Sequence, residues 1–275
     1  MKRNWISYPY IVWMLIFILA PLLLVLYYSV TVRTDSGIVL AFSNFRRFFE
    51  PVYVTVLVRS IVLALVSTAV CLVVGYPVAM ILAGRGLKRR NILILLFVIP
   101  MWMNFLLRTY AWMTLLEKNG LVNTFLSMLG IAPLNLLYGN EAVVMGMVYN
   151  FLPFMVLPVY SVLSKIDRSV IEAAEDLGAS RFYIFKRVIL PLSIPGVMSG
   201  ITMVFMPAVT TFVISRLLGG GQFTLIGNLI EQQFLYVGDW NFGSALSIVM
   251  MAIILVSMGI MSRYDRGYEG GGGLW

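Results

Sequence analysis

Six stretches of apolar residues, roughly 10–32, 58–83, 91–115, 141–163, 190–215 and 241–262, alternate with the few charged segments of the chain. Each is long enough to cross about 30 Å of hydrocarbon as a helix rising 1.5 Å per residue. Membrane barrel strands are shorter, at roughly 10 residues each. The pattern therefore predicts an all-α membrane protein with six transmembrane helices, its residues 1–275 forming a single transmembrane domain. The first stretch follows Lys2 and Arg3, as in a signal peptide, but its apolar run exceeds an h-region and no small-residue cleavage site follows Val32. It is expected to remain as an anchor helix.

The stretches differ in their polar content. The fourth contains Asn150, Pro153 and Pro158; the fifth contains Pro191, Pro195 and Pro207 with Thr202, Thr210 and Thr211. Proline removes a backbone donor, and at membrane depth the freed carbonyl must be satisfied by protein or by water in a cavity. These two helices are either pore-lining and gating elements or statically kinked members of a packed bundle. On the third stretch Asn104, Arg108 and Trp112 recur at i, i+4 and i+8, one face that is expected to look into the bundle. No internal repeat is evident, which weighs against an inverted-repeat secondary transporter.

One sizeable charged loop, 164–190, has a pattern of its own. Ser169 and Glu172 have the spacing of a capping box, in which each side chain satisfies an orphan donor at a helix start. Val170, Ala173, Ala174 and Leu177 recur at helical spacing and leave Glu172, Glu175 and Asp176 on the other side. Gly178 stands where a C-cap glycine ends that helix, and Ser180 can start a second short one carrying Arg181, Lys186 and Arg187. Pro191 and Pro195 then open the fifth stretch. The prediction is a helix-turn-helix on the membrane face, with small residues that let another surface approach.

Composition narrows the chemistry. Of 275 residues, 60% are hydrophobic and 12% charged, against about 25% in a soluble domain; the mean hydropathy is +0.92. The net charge of +8 reads as topology rather than nucleic-acid binding, because basic residues mark cytoplasmic loops. With the N-terminus inside, most of the 20 basic residues fall on the cytoplasmic side, led by GRGLKRR at 84–90. Both termini are thus placed in the cytoplasm, and the glycine-rich tail after Tyr268 reads as a flexible end. The absence of His and the single Cys71 remove Ser-His-Asp chemistry and zinc sites. None of the five lysines, Lys2, Lys88, Lys118, Lys165 and Lys186, follows a glycine, so a nucleotide-binding P-loop is excluded. Helix middles lacking Asp, Glu, Lys and Arg argue against an ion-coupled transporter or a membrane enzyme.

The segment EAAEDLGASRFYIFKRVILP (172–191) resembles the EAA motif of ABC importer permeases, with Val188 in place of the usual Ile. VGYPVAMILA (74–83), IPMWMNFLLRTYAW (99–112), YNFLPFMVLPVY (149–160), RLLGGGQFTLIGNLIEQQFL (216–235) and DWNFGSALS (239–247) extend the resemblance to the permease subunits of spermidine/putrescine importers. The first 70 residues match less distinctively.

The resemblance implies a type I ABC importer permease (MetI-like) fold in a bacterial inner membrane. It implies ATP-driven inward translocation of polyamines without catalysis by this chain. It further implies a homologous second permease, two ATPase subunits that bind ATP and Mg, and an extracytoplasmic substrate-binding protein. Glu172, Ala173, Ala174, Gly178, Leu190 and Pro191 would couple to the ATPase. Another cationic amine, or ferric iron, is the alternative cargo of the same machinery; a stand-alone secondary transporter is the alternative of another class.

A polycation crossing a membrane needs carboxylates or aromatic faces in place of its hydration. Candidates for the pathway are Trp102, Asn104, Tyr110, Trp112, Asn150, Thr210, Glu231, Asp239 and Trp240. An interfacial aromatic belt is the competing explanation for the tryptophans and the tyrosine, and solvated loop charge or binding-protein contact that for Glu231 and Asp239. Arg108 would repel a polyamine, so an ion pair with Glu117 or Glu231 suits it better. The Gly219–Gly221 run reads as a turn.

Overall fold

A computed structural model describes residues 8–34, 37–84 and 90–269. Lys2, Arg3, Asp35, residues 85–89 of the basic cluster and the tail from 270 lie outside the described residues. Among the described residues, five helices are long and apolar enough to cross a membrane: α1 (Tyr8–Ser29), α3 (Pro51–Ala83), α7 (Asn140–Leu163), α9 (Arg181–Thr210) and the first part of α12, Trp240–Met261. A bent pair of helices makes a sixth when counted as one broken span. Its arms, Asn91–Trp102 and Phe105–Met128, meet at 95°; they contain α4 (Arg90–Trp102), α5 (Phe105–Leu116) and α6 (Leu121–Met128).

The expected straight helix over 91–115 is therefore corrected. Pro100 lies inside α4, and Met103 N donates to Pro100 O in a closing turn. Asn104 then caps a fresh helix, its Oδ1 accepting from Leu106 N at 2.8 Å and Leu107 N at 3.4 Å. Asn104 accordingly stands at a helix start instead of on a continuous face with Arg108 and Trp112. The fifth stretch is corrected as well: α9 begins ten residues before Pro191, runs through a π turn at Phe185–Ile189, and stops at Thr210. A short helix, α10 (Val213–Leu218), follows.

The chain forms two compact units. The larger, residues 59–225 and 257–275, is centred on α7. Ala142, Val143, Met147, Met155, Val156 and Val159 of α7 are all buried. Two features let α9 lie directly against α7. Gly196 and Gly200 form a G-x-x-x-G spacing, which brings backbones close where lipid supplies no hydrophobic drive. A Cβ on Gly196 would stand 2.9 Å from the carbonyl oxygen of Pro158, and one on Gly200 2.7 Å from Met155 Sδ. From α3, Gly75 approaches the same methionine, its Cβ position 3.0 Å from Met155 Cγ. Tyr76 Oη and Ser193 Oγ, both buried, share a hydrogen bond of 2.8 Å that joins α3 to α9.

The smaller unit comprises residues 1–58 and 226–256. It contains α1, the antiparallel hairpin β1 (Thr31–Thr34) and β2 (Gly37–Leu40), with Thr31 opposite Leu40, and α2 (Ser43–Phe48). It also contains α11 (Ile226–Gln232), a π turn at Gln233–Val237 and the start of α12 (Trp240–Glu269). In α1 only Ser29 is buried, as suits a helix whose solvent is lipid. Asn44 and Asn241 bind the chain where α1 ends: Asn44 Nδ2 donates to Thr31 O at 3.2 Å, and Asn241 Nδ2 to Tyr28 O at 3.0 Å and Thr31 O at 2.6 Å.

The two glycines of α9 give a discriminating test. An added methyl at Gly200 would stand 2.7 Å from the side-chain sulfur of Met155 and no nearer than 3.3 Å to backbone, whereas one at Gly196 would stand 2.9 Å from a backbone oxygen. Gly196→Ala is expected to destabilise the chain by about 1–3 kcal/mol and Gly200→Ala by less, measured as thermal unfolding of the full-length protein in detergent. Equal losses would refute the close backbone contact.

Candidate functional site

The charged loop folds as predicted in outline and differently in detail. Its first helix, α8, spans Arg168–Asp176. The cap is Asp167, not Ser169: Asp167 Oδ1 accepts from Ser169 N at 3.0 Å. Glu172 then pairs with Arg168 at 2.6 Å, an exposed i,i+4 ion pair, so the expected capping box does not form. The reason is one of position: an aspartate just upstream satisfies the orphan donor first.

The end of α8 follows the prediction. Gly178 has φ +77; Gly178 N donates to Glu175 O at 2.8 Å and Ala179 N to Ala174 O at 3.1 Å, the two bonds of a Schellman ending. Ser180 Oγ then accepts from Tyr183 N at 3.4 Å and opens α9. No atom lies within 4 Å of where a Cβ on Gly178 would be. Glycine is required here by backbone conformation, while the space around it stays open.

The faces of α8 are arranged otherwise than the spacing suggested. Ile171 and Ala174 are half-buried, whereas Val170, Glu172, Ala173 and Leu177 are exposed. Leu177 is 88% and Phe182 73% exposed, a large cost in water for two apolar side chains. Behind the helix lies a cavity of about 350 Å³ lined by Met80, Ile166, Arg168, Ile171, Glu175 and Ile189. Leu190 is exposed and Pro191 half-buried, and Leu190 N closes the π turn onto Phe185 O.

Of the proposed pathway residues, the larger unit holds six. Trp112 packs edge-on against Tyr149 of α7, ring centroids 5.1 Å apart. Asn150, the next residue, is buried; its Nδ2 donates to Gly146 O at 2.8 Å, and its Oδ1 is buried without a partner. Trp102, Asn104 and Tyr110 are exposed. Thr210 is exposed too, and its hydroxyl bonds Met206 O at 3.1 Å. Arg108, one turn before Trp112, is 8% exposed, and its Nε and Nη1 have no hydrogen-bond partner. The expected pair with Glu117 does not form; Glu231 belongs to the other unit. A buried cation thus departs from the charge-free helix interiors expected, because the break at 103–104 starts a new helix whose first turn carries it.

The smaller unit holds the remaining three. Glu231 is half-buried in α11. Asp239 is engaged at both oxygens: Oδ1 accepts from Phe242 N at 3.0 Å, capping α12, and Oδ2 pairs with Arg47 at 2.9 Å. Arg47 also lies 4.1 Å over the Phe242 ring. Burial opposes the Arg47 charge, but bonds to and attraction from Tyr53 and Asp239 outweigh it and hold its pKa above the ordinary value. Trp240 is exposed and touches Phe234 and Tyr28 edgewise or tilted.

A feature missed at the sequence level lies at the opposite end of α7 from the charged loop. Glu117, Lys118, Asn135, Tyr138 and Gln222 line a cavity of about 620 Å³. Buried Asn123 ties two of its rims, donating to Glu117 O and Leu134 O at 3.1 and 3.0 Å. The Gly219–Gly221 turn supplies the third, with Gln222 N bonded to Gly219 O. Gly220 has φ +58, and a Cβ there would overlap the Tyr138 ring. The triple glycine was the available signal.

With this geometry in place, comparison with known proteins is decisive. Residues 75–270 match the family described as the binding-protein-dependent transport system inner membrane component. The chain belongs to that family. It is a multi-pass inner-membrane permease, a subunit without chemistry of its own. The spermidine/putrescine transport system permease protein PotB of Escherichia coli (strain K12) is 40% identical over 259 residues, covering 92% of this chain and 94% of that protein. The PotB protein of Haemophilus influenzae is 41% identical over 251 residues, covering 88% of each. Among solved structures, a bacterial ABC transporter involved in alginate import superposes with a TM-score of 0.74 at 20% identity, covering 95% of this chain and 96% of that one. The MetNI methionine transporter gives 0.57 at 19% identity, over 78% and 95%. These likenesses show the permease's type I importer fold.

The two bonds of Asp239 separate by mutation. Asp239→Asn keeps a good cap and loses the ion pair, while Asp239→Ala loses both. The alanine variant is expected to cost about 1–2 kcal/mol and the asparagine variant under about 1 kcal/mol, read by thermal unfolding. If asparagine proves as damaging as alanine, the cap is not the main contribution.

Proposed function

We propose that this permease carries polyamines of the spermidine/putrescine class into the cytoplasm as part of an ATP-driven importer. The observation that carries the reading is 40% identity to a spermidine/putrescine permease across nearly the full length of both chains. A homologous second permease, two ATPase subunits and an extracytoplasmic binding protein complete the assembly, and the whole chain acts as one translocation domain. ATP and Mg belong to the ATPase; this chain holds no cofactor. Both termini lie in the cytoplasm, on the side of the basic loops.

The 164–190 segment is the coupling element. Its outward Val170, Leu177 and Phe182 are apolar surface that a partner would remove from water, and Glu172, Ala173, Ala174 and Gly178 flank it. From Arg181 onward the segment is itself the start of α9, which runs on through the π turn, Leu190 and Pro191. A displacement of the coupling segment by nucleotide-driven closure would therefore move α9, and alternate access follows from the two positions of that helix. The pathway is lined by Trp102, Asn104, Tyr110, Trp112, Asn150 and Thr210, with Glu231, Asp239 and Trp240 as further contacts.

Two measurements test this. In proteoliposomes holding the full complex and its binding protein, spermidine should stimulate ATP hydrolysis and accumulate inside; stimulation by ferric iron instead of amines would overturn the cargo. Gly178→Trp should insert normally and abolish uptake, while Gly178→Asn, a residue that tolerates the left-handed conformation, should retain most of it. Full uptake by the tryptophan variant at normal expression would sink the coupling role.

A further inference from the structure

The smaller unit contains a second kind of cavity, of about 390 Å³, walled by Tyr27, Tyr28, Ile38 and Trp240 and edged by Thr31 and Asn241. The rings are not stacked. Tyr27 and Tyr28 are 5.7 Å apart at 66°, and Tyr28 and Trp240 6.3 Å apart at 50°. The walls are also held in place. Asn241 Nδ2 bonds the carbonyls of Tyr28 and Thr31, and Phe234 supports Trp240 at 5.5 Å.

Depth and charge define what can enter. Tyr27 and Tyr28 lie in the last turn of the apolar span Tyr8–Ser29, and Trp240 is the first residue of the span Trp240–Met261. The ends of such spans lie at the headgroup level of the bilayer. An aromatic belt accounts for single rings at that depth but not for a cavity walled by three of them. None of the lining residues is charged. Asp239, the residue before Trp240, is already paired with Arg47, and the Asn241 amide is spent on backbone carbonyls. The electron-rich ring faces attract an organic ammonium, and among the described lining residues no side chain offers a cation to a bare anion. The volume lies within the range of small-ligand sites.

We infer that this cavity holds the primary ammonium headgroup of a membrane phospholipid, as in phosphatidylethanolamine. A free polyamine shares the ammonium chemistry; the position at the span ends favours the lipid. The inference does not rest on the transported cargo; it assigns Trp240 to the lipid and so takes that residue out of the pathway contacts.

The experiment uses the full-length chain, delipidated in detergent and titrated with phosphatidylethanolamine or phosphatidylglycerol, with retained lipid counted by native mass spectrometry. The ethanolamine lipid should be retained about five-fold better or more. Tyr28→Leu and Trp240→Leu should remove the preference, while Tyr28→Phe, which keeps the ring, should preserve it. Saturating spermidine should leave the retained lipid in place. Equal retention of the two lipids by the unaltered chain overturns the inference, a result that needs no variant to fold. Displacement by spermidine overturns the lipid assignment and gives the pocket to the amine; folded leucine variants with unchanged preference overturn it as well.

Discussion

The contact on which the larger unit depends is the approach of α9 to α7 through Gly196 and Gly200. In lipid, apolar side chains gain little from meeting each other, so helices associate through close packing and through polar bonds. Here two missing side chains allow Pro158 O and Met155 to lie where a Cβ would otherwise be. Met155 is fully buried and is approached from α3 as well, through Gly75. Three helices thus meet at one methionine, whose flexible thioether adapts to irregular gaps. The Tyr76–Ser193 hydrogen bond adds direction to a contact that is otherwise shape alone.

That contact bears directly on the proposed coupling role of the charged loop. A loop joined to a loosely held helix would absorb motion locally. This one runs into α9 through a π turn, and α9 is packed against the most buried helix of the unit. Pro195 and Pro207 lie inside α9 without breaking it, and Pro153 and Pro158 lie inside α7 without breaking that. The bend that does occur follows Pro100, where Asn104 is ready to cap a new helix. Proline alone therefore does not place a break; proline followed by a good cap does.

The same comparison shows what the residue pattern could and could not convey. Long apolar runs specify spans because hydrocarbon thickness is a fixed length, and five of the six were legible with their ends displaced by a few residues or more. Gly178 was legible because a left-handed helix ending is a local demand on one residue. Asp167 was overlooked because the Ser169–Glu172 spacing also satisfies the capping-box pattern, and spacing does not rank two competing caps. The G-x-x-x-G of 196–200 was present and unread. Arg108 and the outward placement of Leu177 are of another kind: both depend on how neighbouring helices fall in three dimensions, which periodicity within one helix does not encode.

The outward face of the proposed coupling segment contrasts with its backbone. Inside the chain its structure is fully specified: Asp167 caps one end, the Schellman bonds close the other, and Ser180 starts the next helix. Nothing there is strained or incomplete. Yet Leu177 and Phe182 are largely exposed, and no atom lies within 4 Å of where a Cβ on Gly178 would be. A segment so well satisfied in its backbone and so poorly satisfied in its apolar surface suits the docking role proposed for it. The buried Arg108 shows the converse, a group enclosed by its own chain and left without hydrogen-bond partners at Nε and Nη1. One feature points to where force enters the permease, and the other to where polarity is kept within it.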